Sequence, residues 1–185
     1  MPYLLDSDVF IQAKNLHYGL DFCPAFWDWL VQHNTAGRVY SIEKVGDEIE
    51  AGTDELADWA GDRGEGFFLP PDAAVLPALG AVSRWVTGQH YDAAAVNTFL
   101  QVADYFLVAH ALAHKHIVVT HEKAAPQAKQ VKIPTACIAL GIKCMTPYEM
   151  LRLERARFVL RAPQRPSPRH GERAAYTPDP DEDED

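Results

Sequence analysis

Five carboxylates stand where this chain could do chemistry: Asp6, Asp8, Glu48, Asp104 and Glu122. Asp6 ends the short apolar run Tyr3-Leu4-Leu5, and Asp8 follows two residues on. Glu48 lies beside Ile49 in an amphipathic stretch, and Asp104 opens the strongest helical segment. Glu122 lies two residues past the β-branched run Ile117-Val118-Val119-Thr120. In an open parallel sheet, ligands bind beyond the carboxyl ends of the strands, and Asp6 and Glu122 both fall there. Crowded carboxylates repel one another unless a cation sits among them, and such oxygens with retained waters are what Mg²⁺ or Mn²⁺ prefers. An ion held this way polarises a phosphodiester oxygen and makes hydroxide from bound water. Each residue also has an ordinary reading, because the chain has 26 acidic residues. Asp6 reads as a turn or cap residue, Asp104 as a helix N-cap, and Glu48 and Glu122 as solvated charges.

The elements that must position these residues alternate between strand and helix. Strands are predicted at Tyr3-Leu4-Leu5, Arg38-Val39-Tyr40, Phe67-Phe68-Leu69, Ile117 to Thr120 and Gly141 to Met145. Helices are predicted at Val9 to His17, Phe22 to His33, Asp54 to Ala60, Tyr91 to Phe99, Ala103 to His114 and Pro134 to Leu140. Ser41 is predicted to cap a helix bearing Ile42, Val45 and Ile49 on one side, which Gly52 closes. A helix from Asp72 to Val86 should be interrupted near Pro77, and one starting at Pro147 should run to about Leu160. Short apolar strands alternating with helices imply an α/β fold with a parallel sheet covered on both faces.

Composition bounds the class. With 185 residues, 48% hydrophobic, the chain is long enough to bury a core without metal or disulfide. No stretch is apolar for the roughly 18 residues a membrane span needs, and the start lacks the pattern of a signal peptide. Cys23, Cys137 and Cys144 are odd in number and lack CxxC spacing, which argues against a disulfide scaffold or structural zinc and for the cytoplasm. Charge is unevenly spread: residues 1–150 carry −8, residues 151–176 carry +5 through seven arginines, and residues 177–185 carry −6. A phosphate backbone must therefore meet the arginine strip, or meet the acidic body through bound cations. Residues 161–185 hold five prolines and the ending Asp181-Glu182-Asp183-Glu184-Asp185, which reads as a disordered tail after a domain at 1–160.

The ordered motifs carry a resemblance. Leu4-Leu5-Asp6-Ser7-Asp8-Val9-Phe10-Ile11 resembles the opening of PIN domains, and Val45-Gly46-Asp47-Glu48-Ile49 resembles their second acidic segment. Asp104-Tyr105-Phe106-Leu107-Val108-Ala109-His110-Ala111 is similar to the PIN helix that follows its acidic residue with Ala-x-Ala. Val118-Val119-Thr120-His121-Glu122 is similar to the strand that ends Thr-x-acidic. All four stand in the family's order over about residues 3–150. Phe10 to Asn15, Phe26 to Leu30 and Asp54 to Ala60 look closest to the bacterial PIN-like subfamily DUF4411.

The resemblance implies a three-layer α/β/α sandwich around a short parallel sheet. It implies Mg²⁺- or Mn²⁺-dependent cleavage of RNA, as by the toxin of a type II toxin–antitoxin pair with an antitoxin partner and, as an open alternative, a homodimer. It implies that Asp6, Glu48, Asp104 and Glu122 hold the metal, with Ser7 and Thr120 orienting carboxylates or waters. Two residues depart from the pattern. Asp8 stands where Asn is commoner and adds a candidate ligand. Glu122 replaces the usual Asp, so its longer arm is expected to reach the metal through water.

Rival readings have their own residues. Asp6-Ser7-Asp8-Val9-Phe10 also resembles the first motif of haloacid-dehalogenase phosphatases, but Val9 and Phe10 stand where that motif has Gly and then Thr or Val. A silent PIN-fold interaction module is the non-enzymatic alternative. His110 and His114 have the i, i+4 spacing of a zinc pair, but no third ligand is evident. Trp27, Trp29, Phe67 and Phe68 read as core or lid. Arg152, Arg155 and Arg161 read either as a solvated helix face or as contacts to an RNA backbone. The acidic tail could fold back on that strip; deleting residues 177–185 should then strengthen RNA binding at low salt, and unchanged affinity would reject it.

Overall fold

The computed structural model describes residues 1–125 and 129–159. Its chain alternates strand and helix as the patterning requires. Tyr3–Leu5 (β1) leads into Ser7–Gln12 (α1), which continues as a π-helical turn over Ala13–His17. Pro24–Thr35 (α2) returns to Val39–Ile42 (β2), followed by Glu43–Glu50 (α3), Glu55–Gly61 (α4) and Phe68–Leu69 (β3). Val75–Thr87 (α5), Ala93–Phe99 (α6) and Ala103–His114 (α7) precede Ile117–Val119 (β4). Ile133–Leu140 (α8), Cys144–Met145 (β5) and Pro147–Leu153 (α9) complete it.

The five strands form a parallel sheet in the order β3-β2-β1-β4-β5. Register is fixed by Leu4 pairing with Tyr40 on one side and Val118 on the other. Strand order moves outward from β1 to β3, then jumps back to β4 beside β1. Parallel crossovers are right-handed, so reversing direction puts the helices before and after that jump on opposite faces. The result is the three-layer α/β/α sandwich expected. Leu4, Leu5, Val118 and Val119 are fully buried, as a central parallel sheet demands. Phe10, Phe26, Leu30, Val45, Leu107 and Val108 supply the helix side of the core.

Three local expectations are corrected. Ser41 does not cap a helix. It lies inside β2, fully buried, and its hydroxyl donates to the Leu5 carbonyl at 2.6 Å. The hydrogen bond makes a polar residue acceptable in a central strand. Pro77 does not interrupt its helix, because it is the third residue of α5. The first four helical N–H groups have no intrahelical partner to lose. The final helix stops at Leu153 rather than near Leu160. Arg155 takes a left-handed conformation (φ 53°), and Ala156 N–H bonds back to the Leu151 carbonyl at 2.9 Å, which ends the helix as glycine usually does. Glu154 is drawn across to β1, where it accepts from the Tyr3 hydroxyl at 2.8 Å and pairs with Arg38. Arg152 is thus helical and Arg155 lies past the end, while Arg161 and the tail of 161–185 lie outside the described residues.

No described helix is long and apolar enough to cross a membrane.

Candidate active site

The jump in strand order fixes where a site can form. Between β1 and β4 the loops leave toward opposite faces, opening a crevice at the carboxyl ends of both strands. Asp6 follows β1 directly, and Thr120, His121 and Glu122 follow β4. Asp6 N–H bonds to the Val119 carbonyl at 3.0 Å, so the ladder continues one residue beyond the strands and holds the two ends together.

Asp6 is 4% exposed and N-caps α1. Its Oδ1 accepts from Ser7 N–H at 2.8 Å, and its Oδ2 accepts from the Thr120 hydroxyl at 2.8 Å. Thr120 is 1% exposed, its hydroxyl stands 3.3 Å from Asp8 Oδ2, and it accepts from Glu122 N–H at 3.0 Å. The Thr120 hydroxyl thus lies between the carboxyls of Asp6 and Asp8. Ser7 meets Asp6 through its backbone N–H; its hydroxyl makes no hydrogen bond among the described residues. Both oxygens of Asp8 accept from His121 N–H at 3.2 Å, which ties α1 to the end of β4.

Asp104 is not a helix cap. Val102 occupies that position, and Asp104 sits in the first turn of α7, half-buried. Burial raises its carboxyl to about 6, with the charges of Glu122 and Glu48 adding to the rise and Lys132 opposing it. Burial likewise pushes the Asp6 carboxyl well above the usual range, helped by the charges of Asp8 and Asp104. The sequence thus brings Asp6, Asp8, Asp104 and Glu122 into one field. Glu48 is exposed on α3 and reaches the group by its charge on Asp104.

Glu122 departs most from expectation. Its two oxygens are engaged, one by Lys132 Nζ at 2.5 Å and one by Ile133 N–H at 2.8 Å. A carboxylate at the first turn of α8 meets the positive end of the helix. The hydrogen bond to Glu122 raises the Lys132 ammonium, and the nearby charges of Asp104 and Asp8 act the same way. Sequence reading missed Lys132 by treating residues 121–132 as an undifferentiated loop. The signal was Pro134, which marks a helix start and so puts Lys132 at the helix entrance. Asp104, Glu122 and Lys132 line an open groove of about 430 Å³ together with Thr98, Phe99 and Val102.

Among the described residues, no three His, Cys, Asp or Glu side chains stand ready around a common point as metal ligands. The donor chemistry still fits a hard divalent ion. The set is all oxygen, two of its carboxyls are held above their ordinary range by burial first and by neighbouring carboxylates second, and Lys132 is paired with Glu122. The histidine pair finds neighbours absent from the sequence argument. His116 stands 5.8 Å from His110 and 5.6 Å from His114, ring to ring, and His114 Nε2 stands 3.2 Å from an Asp72 oxygen.

The family model described as "Domain of unknown function (DUF4411)" matches residues 3–158. No curated protein matches the chain. Among solved structures, the chain is similar to VapBC2 from Rickettsia felis, which was solved bound to a DNA fragment from their promoter. The match has 13% identity and a TM-score of 0.47, and covers 79% of this chain and 98% of the other.

Proposed function

The chain belongs to the DUF4411 family, and from that premise we propose that it is a metal-dependent endoribonuclease, the toxin of a toxin–antitoxin pair. One observation carries the nuclease reading: Asp104 on α7 and Glu122 after β4 line one groove, and Asp6 after β1 stands near enough for the charge of Asp104 to act on it. The PIN resemblance of the four ordered motifs supports RNA as substrate and an antitoxin as partner. Asp6 and Asp104 would hold Mg²⁺ or Mn²⁺, with Asp8, Glu48 and Glu122 completing its field. When bound, the ion supplies Lewis acidity and an activated water.

The chain's own residues do the positioning. Thr120 fixes the rotamer of Asp6, and His121 N–H fixes that of Asp8. Preset carboxylates lose less entropy when they engage a cation. Lys132 keeps Glu122 at the groove wall and puts a positive charge beside the space a phosphate would enter. Lys129 lines the same groove. These lysines answer part of the problem posed by an acidic body, because they give a phosphate backbone local attraction where the net charge repels it.

The test is cleavage of a single-stranded RNA in Mg²⁺ or Mn²⁺. Wild-type protein should cut it, chelator should stop cleavage, and Asp6→Asn and Asp104→Asn should each reduce the rate at least 100-fold. Cleavage that survives Asp104→Asn would sink the reading, and so would hydrolysis of a phosphomonoester in place of RNA.

A further inference from the structure

On the Asp8 side of the crevice stands a group of rings that the carboxylate chemistry does not use. His17, His121 and Tyr148 come from the π-helical turn, the end of β4 and α9. Their rings form a triangle with centroids 5.8, 5.6 and 5.5 Å apart. The Tyr148 hydroxyl and His17 Nε2 are 2.8 Å apart. All three rings are half-buried, so each keeps a share of solvent-facing surface. His121 is locked to the site itself, because its N–H is the donor to both oxygens of Asp8.

Two further features point to a ligand. π-Helical turns inside helices occur frequently at functional sites. Here the turn carries His17 to the triangle, and its Tyr18 neighbour is braced by Phe26 at 4.5 Å and Phe158 at 5.6 Å. Arg152 lies one helical turn after Tyr148 on α9, exposed, and near enough for its charge to act on the Tyr18 hydroxyl. Half-exposed flat rings beside an exposed guanidinium are the combination that grips an unpaired base and its phosphate.

We propose that His17, His121 and Tyr148 form a nucleobase-stacking subsite, with Arg152 as its phosphate contact. The subsite holds one unpaired base of an RNA strand whose backbone crosses the carboxylate crevice. This rests on the nuclease reading above and deepens it by naming which side of the crevice grips a base. Single-stranded RNA is selected over a duplex because only an unpaired base offers its face to the rings.

The test is binding of a short single-stranded RNA by fluorescence anisotropy, in Ca²⁺, with the oligomer checked for integrity on a gel. A second oligomer carries abasic nucleotides throughout, and a third is a duplex. Tyr148→Ala should weaken binding of the intact single strand about 10-fold, as the loss of one stacked base does. It should leave the abasic oligomer unchanged, and Tyr148→Phe should bind within about twofold of wild type. His121→Ala should reproduce the selective loss and guards against a folding defect in the first variant. Wild-type binding that is equal for intact and abasic strands would overturn the subsite while leaving the nuclease reading in place. An equal loss on both strands in Tyr148→Ala would overturn it too. Wild-type protein that binds no RNA but does bind Mn²⁺ would overturn the subsite and the choice of RNA together.

Discussion

Replacing Thr120 by Val removes one hydroxyl at the centre of the site and nothing else of consequence to packing. That hydroxyl donates to Asp6 at 2.8 Å, stands 3.3 Å from Asp8 Oδ2 and accepts from Glu122 N–H at 3.0 Å. The first involves a carboxyl, 4% exposed, whose one other donor among the described residues is Ser7 N–H. A buried hydrogen bond contributes about 0.5–1.5 kcal/mol, and a backbone donor left without an acceptor costs about 1–3 kcal/mol. Thr120→Val should therefore destabilise the protein by about 3 kcal/mol. For a domain of this size that lowers the melting temperature by about 6–12 °C. Thr120→Ser keeps the hydroxyl and gives up one methyl group, for a cost near 1 kcal/mol. Urea denaturation of the metal-free protein, followed by circular dichroism, measures both. The same hydroxyl presets Asp6, so Mn²⁺ affinity by calorimetry should fall about 10-fold or more in the Val variant. The reasoning fails if Thr120→Val unfolds within about 1 kcal/mol of wild type, or if Thr120→Ser is as unstable as Thr120→Val.

Other substitutions probe the same construction. Asp104→Asn should stabilise the metal-free protein at pH 7 by about 1–2 kcal/mol, because burial and the charges of Glu122 and Glu48 disfavour its ionised form; calorimetric melting that shows a loss would count against the crowding. Lys132→Met should raise Mn²⁺ affinity by up to about tenfold, since a competing cation leaves Glu122, and isothermal titration that shows weaker binding would contradict this. His116 is held down to about 4 by burial first and then by His110 and His114. Its folded value lies below the unfolded one, so its stability contribution is whole above about pH 6.5 and is lost as pH falls toward 4. Allowing for its partial exposure, the loss is about 1–2 kcal/mol; urea denaturation at pH 7 and 5 should show a smaller drop in His116→Asn than in wild type. Ser41→Ala removes the buried bond to the Leu5 carbonyl and should cost about 1–2 kcal/mol by the same measurement.

Much of this arrangement is legible in the residues. The helix at 103–114 has the bounds its pattern gives, the strand at 3–5 ends where its apolar run meets Asp6, and the strand from Ile117 stops at Val119, one residue before the expected Thr120. Short runs with a polar residue at the carboxyl end specify their own limits. Ser41 misleads because local chemistry favours a cap, while its tertiary partner, the Leu5 carbonyl, lies 36 residues away. The final helix stops early because a left-handed Arg155 and the long-range hold on Glu154 decide it, and neither has a local signature. At the site, residue types point to Asp6, Asp104 and Glu122, but sequence does not tell that Lys132 takes up Glu122 or that Asp8 is anchored by His121. Those pairings depend on how α8 and α1 dock against the end of β4. The histidine triad is illegible for the same reason: its third ring comes from the turn after α7, outside any i, i+4 pattern.

The adjacency of β1 and β4 has a temporal consequence. Residues 3–5 find one of their two neighbouring strands only in residues 117–119, more than a hundred positions later. A chain emerging from the ribosome carries Asp6 early, but its Thr120 partner and the second strand beside β1 follow only with β4. The central pairing of the sheet therefore closes late, and the surroundings of Asp6 are complete only once residues 117–122 have been made.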